Sequence, residues 1–132
     1  MLPQLPAAVR VFLCVRPTDM RKSFDGLSGM VHEFLGQDPL SGHLFLFLNR
    51  RRDRIKVLFW EPDGLVIFYK RLEAGTFQLP TAASHEQGVE LDSSQLTHLL
   101  GGIDLRTGRR RKRYRRADKF VRQANSFNTA LL

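Results

Sequence analysis

Several kinds of chemistry are excluded by what this sequence has too little of. Cysteine occurs once, at Cys14, in 132 residues. A single thiol leaves no intramolecular disulfide and no cysteine-based zinc cluster. A reducing cytoplasm is the expected setting. Cys14 stands in the apolar run Val11-Phe12-Leu13-Cys14-Val15, so a buried structural thiol is expected rather than a reactive one. No stretch approaches the roughly 20 apolar residues that span a bilayer. The opening residues, Met1-Leu2-Pro3-Gln4-Leu5-Pro6, lack the basic start and apolar stretch of a secretion signal. The expectation is a soluble protein with no membrane partner. There is no phosphate-binding G-x-x-x-x-G-K, no nucleophile elbow and no dinucleotide fingerprint. His32, His43, His85 and His98 share no metal-binding spacing. No cofactor and no metal is expected, and nothing positive points to an enzyme.

What is present argues for one folded domain followed by an arm. The chain is 42% hydrophobic and 26% charged, near the values of soluble globular proteins. Its net charge of +8 is placed unevenly. Residues 1–105 hold 11 Lys/Arg against 12 Asp/Glu, a net −1, whereas residues 106–132 hold 10 against one, a net +9. The expected domain spans 8–105, and a basic C-terminal arm spans 106–132.

Within the domain, Val9 to Val15 reads as a strand closed by Pro17. Thr18 or Asp19 is a candidate cap for a helix whose stripe is Met20, Phe24, Leu27, Val31 and Phe34/Leu35, with Gly36 as its stop. Leu44 to Leu48, Ile55 to Trp60 and Leu65 to Tyr69 follow as three strands separated by turn residues, an antiparallel meander. Both faces of these strands are apolar, as in a sheet covered on both sides. Phe59, Trp60, Phe68 and Tyr69 are expected in the core rather than on a base-stacking platform. Residues 73–91 read as irregular, with one short strand around Phe77–Leu79. Asp92 is placed to cap a second helix carrying Leu96, Leu99 and Leu100. The fold class is therefore α+β, with an antiparallel sheet of about four strands, two helices and a basic C-terminal arm.

The strongest chemical signal is the arm. Arg106 precedes Arg109-Arg110-Arg111-Lys112-Arg113-Tyr114-Arg115-Arg116, in which seven of eight residues are cationic. Such a run neutralises phosphates and releases their counterions, and guanidinium forks suit phosphate oxygens. A solubilising tail, or a segment that binds an acidic protein, explains the same charge. A second cluster, Arg50, Arg51, Arg52 and Arg54, surrounds Asp53 at the tip of the first hairpin. It reads either as a phosphate-gripping loop or as a charged turn that keeps the tip in water. Lys70 and Arg71 lie one hairpin away. Asp19, Asp25 and Glu33 lie along the first helix region, but a nuclease triad can always be assembled from scattered carboxylates, and Asp19 as a cap and Asp25 as a packing or ion-pair residue are the favoured reading.

The same residues carry a family resemblance. Pro17-Thr18-Asp19-Met20-Arg21-Lys22-Ser23-Phe24-Asp25-Gly26-Leu27 resembles the opening block of the TnpB-type, second-reading-frame accessory proteins of insertion-sequence family sixty-six. Gly36-Gln37-Asp38-Pro39 and Ser41-Gly42-His43-Leu44-Phe45 resemble the next block. Arg51, Asp53-Arg54-Ile55-Lys56-Val57-Leu58 and Trp60 match a third, and Gly64, Tyr69-Lys70-Arg71-Leu72-Glu73, Gly75, Phe77 and Pro80 a fourth. Leu96, Leu99-Leu100 and Gly102-Ile103-Asp104 resemble the closing block. The resemblance covers residues 9–105. It implies a non-catalytic accessory role in DNA transposition, beside a separate transposase, with insertion-sequence ends and that transposase as partners. It supplies no catalytic residues. A pure protein-interaction adaptor, a metal-dependent nuclease and self-association through the sheet are the alternatives.

Overall fold

The β-branched and aromatic runs do form strands, but they assemble into a sheet of mixed direction. A computed structural model describes residues 8–80 and 87–101. Their order is β1 (Val11–Cys14), α1 (Phe24–Leu35), β2 (Leu44–Leu48), β3 (Arg54–Glu61), β4 (Gly64–Arg71), β5 (Gly88–Leu91) and α2 (Ser93–Gly101). Among the described residues the sheet has five strands in the order β4-β3-β2-β1-β5. The expected meander β2-β3-β4 is antiparallel. The expectation of a four-stranded, purely antiparallel sheet is corrected on two counts. β1 pairs with β2 in parallel, Val11 beside Leu44 and Cys14 beside Phe47. The intervening helix is the crossover that parallel neighbours require. β5 adds antiparallel to β1 on the other side, Val11 beside Leu91. The short strand expected around Phe77–Leu79 does not form. Phe77 instead donates its N–H to the Arg52 carbonyl at 2.7 Å and buries its ring.

Alternation on a pleated strand sorts the apolar residues onto two faces. Phe12, Cys14, Phe45, Phe47 and Leu58 pack with Leu27, Met30 and Val31 of α1. Val11, Leu13, Leu44, Leu46, Leu48, Ile55, Val57 and Phe59 pack with Leu96 and Leu99 of α2 and with Leu72 and Phe77. Every residue of β1 and β2 is buried, which follows from a sheet covered on both sides. Cys14 is fully buried, and burial pushes its thiol pKa up.

The helix ends show which local chemistry prevails. α2 begins with a reciprocal capping box: Gln95 N donates to Asp92 Oδ1 at 2.7 Å, and Asp92 N donates to Gln95 Oε1 at 2.9 Å. α1 ends on Gly36 in the left-handed region, φ 60°. Its start is later than Thr18 or Asp19. The Asp19 carboxylate accepts the N–H of Arg21, and the Asp19 carbonyl accepts that of Lys22. This closes a separate turn before Phe24. Thr18 is buried and bonded through its N–H to the Leu48 carbonyl. Phe24, placed in the apolar stripe by spacing, is 45% exposed.

Candidate nucleic-acid interface

The β2–β3 connection is built around one asparagine. Asn49 Oδ1 accepts the N–H groups of Asp53 and Arg54 at 3.1 and 3.0 Å, and Asn49 Nδ2 donates to Asp53 Oδ1 at 2.7 Å. Arg52 N donates to the Asn49 carbonyl at 3.0 Å. This side chain therefore closes the loop from inside, and Arg50, Arg51 and Arg52 are exposed around it. Arg52 has φ 60°, a left-handed conformation that costs a residue with a Cβ roughly 1–2 kcal/mol. The side chains of Arg50, Arg51 and Arg52 form no ion pair among the described residues. Asn49→Ala is expected to lower stability by about 2 kcal/mol, since three partly buried hydrogen bonds are lost together. Chemical denaturation of the two proteins checks this, and a loss under about 0.5 kcal/mol would refute the stapling role.

The turn continues into a cationic strip on the α1 side of the sheet. The two residues between β3 and β4 fix Glu61 opposite Gly64, and the ladder then carries Arg54 opposite Arg71 and Lys56 opposite Tyr69. Arg54 Nη1 donates to the Tyr69 hydroxyl at 3.1 Å, so no carboxylate neutralises it in that contact. Arg71 forms an exposed ion pair with Glu73 at 2.8 Å. Arg54, Tyr69, Arg71 and Glu73 line a shallow hollow of about 290 Å³. Lys56 is buried with no carboxylate partner among the described residues: its ammonium donates to the Lys22 carbonyl at 2.7 Å and lies 4.8 Å from the Tyr69 ring centre. Tyr69 corrects the expectation of a core aromatic, being 46% exposed. Phe59 is buried as expected, and Trp60 and Phe68 are half-buried. Sequence reading missed that Tyr69 and Arg71 adjoin Arg54. The hairpin register counted from the Pro62-Asp63 turn was the signal that finds them.

The structure brings Asp19, Asp25 and Glu33 around one hollow of about 390 Å³, together with Arg16 and Lys22. Among the described residues no group of three or more His, Cys, Asp or Glu is placed to hold a metal ion. Asp19 is already engaged. Arg21 grips it through a 2.6 Å ion pair and a backbone N–H, and this holds the carboxyl at about 2, below its ordinary value. A depressed carboxyl pKa contributes stability above its unfolded value and loses it as pH falls through the folded one. Asp19 therefore contributes fully above about pH 4 and not at all well below pH 2. Asp19→Asn is expected to flatten the denaturant midpoint across that window, with the two proteins converging at its acid end. Parallel curves through the window would refute the linkage.

The basic-arm residues Arg106, Arg109, Arg110, Arg111, Lys112, Arg113, Arg115 and Arg116 lie outside the described residues. So does the expected boundary at residue 105. Among the described residues no helix is long and apolar enough to cross a membrane.

Together these elements define a small α+β sheet domain with a cationic strip at one end of its β2-β3-β4 meander. The sequence pattern of the family described as "IS66 Orf2 like protein" matches residues 9–110. The chain belongs to that family, and an accessory role in transposition of an insertion element comes with it, in association with the element's transposase. The match runs past Leu105 and takes in Arg106, Arg109 and Arg110. Two similar proteins come from Sinorhizobium fredii (strain NBRC 101917 / NGR234). "Uncharacterized protein y4hO" is 39% identical over 98 residues, covering 74% of this chain and 84% of the relative. "Uncharacterized protein y4jC" is 29% identical over 96 residues, covering 73% and 80%. No solved structure matches.

Proposed function

We propose that this chain is a non-catalytic, cytoplasmic accessory protein that grips the phosphates of insertion-sequence ends while its element's transposase performs the strand chemistry. The observation that carries this reading is the β2–β3 turn. Three arginines stand there without ionic partners among the described residues, on a loop stapled by Asn49 and adjoining Arg54. Guanidinium groups carried on a rigid turn meet a phosphate without a further cost for ordering the backbone, and their planar forks match its oxygens. The positive φ of Arg52 supports the same reading, because a glycine would sit there without strain. Arg50, Arg51, Arg52 and Arg54 form the first contact, widened by Arg71. Arg106, Arg109, Arg110, Arg111, Lys112, Arg113, Arg115 and Arg116 supply the second. The contact is to the backbone and carries no base readout of its own.

The test is a titration of the full chain with duplex DNA at two salt concentrations. It is repeated with Arg109, Arg110, Arg111, Lys112, Arg113, Arg115 and Arg116 replaced by serine. Salt-sensitive binding that the replacement weakens supports the reading. Absence of binding at low salt overturns it in favour of the protein adaptor, which the half-covered strand β4 favours. Metal-dependent cleavage of the same DNA, abolished by Asp19→Ala, would replace it with the nuclease.

A further inference from the structure

β4 is the outermost strand on its side of the sheet, and among the described residues nothing pairs with its free edge. It is not built as a protected edge. All eight residues from Gly64 to Arg71 continue the ladder with β3 without a bulge, and none is proline. The middle of the strand, Leu65-Val66-Ile67-Phe68, is apolar on both faces, and each of these residues is only half-buried. Solvent-exposed edges of this length are ordinarily shortened, bulged, interrupted by proline or charged along their middle. Here the charge sits only at the ends. The acidic turn, Glu61 and Asp63, stands at one end, and Lys70 and Arg71 stand at the other.

That charge order suits a second copy of the same strand. Two identical strands paired antiparallel are related by a two-fold axis perpendicular to the sheet, so each face continues as the same face. Directly opposite residues then share a face, which requires the axis to pass through a residue. With the axis at Ile67, Leu65 meets Tyr69, Val66 meets Phe68, and Asp63 meets Arg71 twice over. With the axis at Phe68, Arg71 meets Leu65 and Lys70 meets Val66, and the charge match is lost. We infer that the protein forms a two-fold dimer by antiparallel pairing of β4 with β4 about Ile67, giving one continuous ten-stranded sheet. The dimer goes beyond the phosphate-binding role and stands without it. If both hold, the two Arg50–Arg52 turns lie on opposite ends of the joined edge. Their α1 sides face the same way, and with Leu58 opposite the axis residue Ile67 the two turns stand on the order of 40–45 Å apart by strand rise and strand spacing.

Light scattering and sedimentation equilibrium of the full chain, without DNA, test the pairing. Wild type is expected at twice the chain mass. Asp63→Arg and Arg71→Asp each place like charges across the axis twice, and each is expected to weaken dimerisation roughly tenfold. The double variant D63R/R71D restores the pairs and is expected to regain the dimer. Circular dichroism confirms that each variant is folded. A monomer for wild type at every concentration overturns the inference, as does a dimer indifferent to both single reversals. So does a double variant that stays as weak as the single ones, and so does a dimer lost only when residues 102–132 are removed. None of these outcomes bears on DNA affinity, which Asp63→Arg leaves to be measured separately on the monomer.

Discussion

Truncating Phe77 to alanine is expected to cost about 3–5 kcal/mol, as much as an aromatic truncation in the central strand β2. The expectation is not obvious from secondary structure, since Phe77 lies outside every helix and strand. Its ring is nonetheless 1% exposed, packed in the same cluster as Leu46, Val57 and Leu99. Removing it leaves a void that a core already held between one face of the sheet and α2 cannot easily collapse to fill. The cost is a large share of the roughly 5–15 kcal/mol that stabilises a domain. Urea unfolding of Phe77→Ala beside Phe47→Ala measures it. A cost below about 1 kcal/mol would mean that the segment is not docked as described. The effect should also reach the turn, because the Phe77 N–H holds the Arg52 carbonyl and Leu72 N–H holds that of Asp53. Amide exchange at these two positions should speed up more than the average for β3.

The second large effect concerns binding. Replacing Arg50, Arg51 and Arg52 together by serine is expected to reduce the slope of log affinity against log salt by about three. Affinity for duplex DNA should fall by more than roughly tenfold at moderate salt. Stability should stay within about 0.5 kcal/mol of wild type, because the three side chains are exposed and form no ion pair among the described residues. A stable variant with unchanged slope would remove the turn from the interface and leave the arm alone to account for binding. An unstable variant would instead show that the arginines serve the hairpin.

What the sequence revealed follows from how local the cause was. β2 was placed at Leu44–Leu48 because five consecutive apolar residues between turn signals have no other home than a doubly covered strand. The α2 start was legible because a capping box lies entirely within four residues. The start of α1 was misplaced for a related reason. Asp19 is a good cap by type, and its carboxylate was drawn to Arg21 two residues on, a competition that residue type alone does not decide. β5 was hidden because Gly88-Val89-Glu90-Leu91 is short and its partner, β1, is far away in sequence. The parallel direction of β1 was recoverable: a helix between two strands is a crossover, and crossovers join parallel neighbours. At the candidate interface the arginine cluster was evident from composition. That Tyr69 turns outward was not, since its exposure depends on Lys56 and Arg54 across the ladder.

The position of β1 has a consequence for the order in which the chain can be completed. β1, the earliest strand among the described residues, ends between β2 and β5, so Val11 waits for Leu44 on one side and for Leu91 on the other. The β2-β3-β4 hairpins close over short loops and should form early, whereas the β1–β5 seam closes the longest loop in the domain. Until Gly88–Leu91 has left the ribosome, β1 has an open backbone edge and side chains that are apolar on both faces. A polypeptide released before that point would display a sticky strand for intermolecular pairing. The four-residue strand β5 therefore does more for solubility during synthesis than its size suggests.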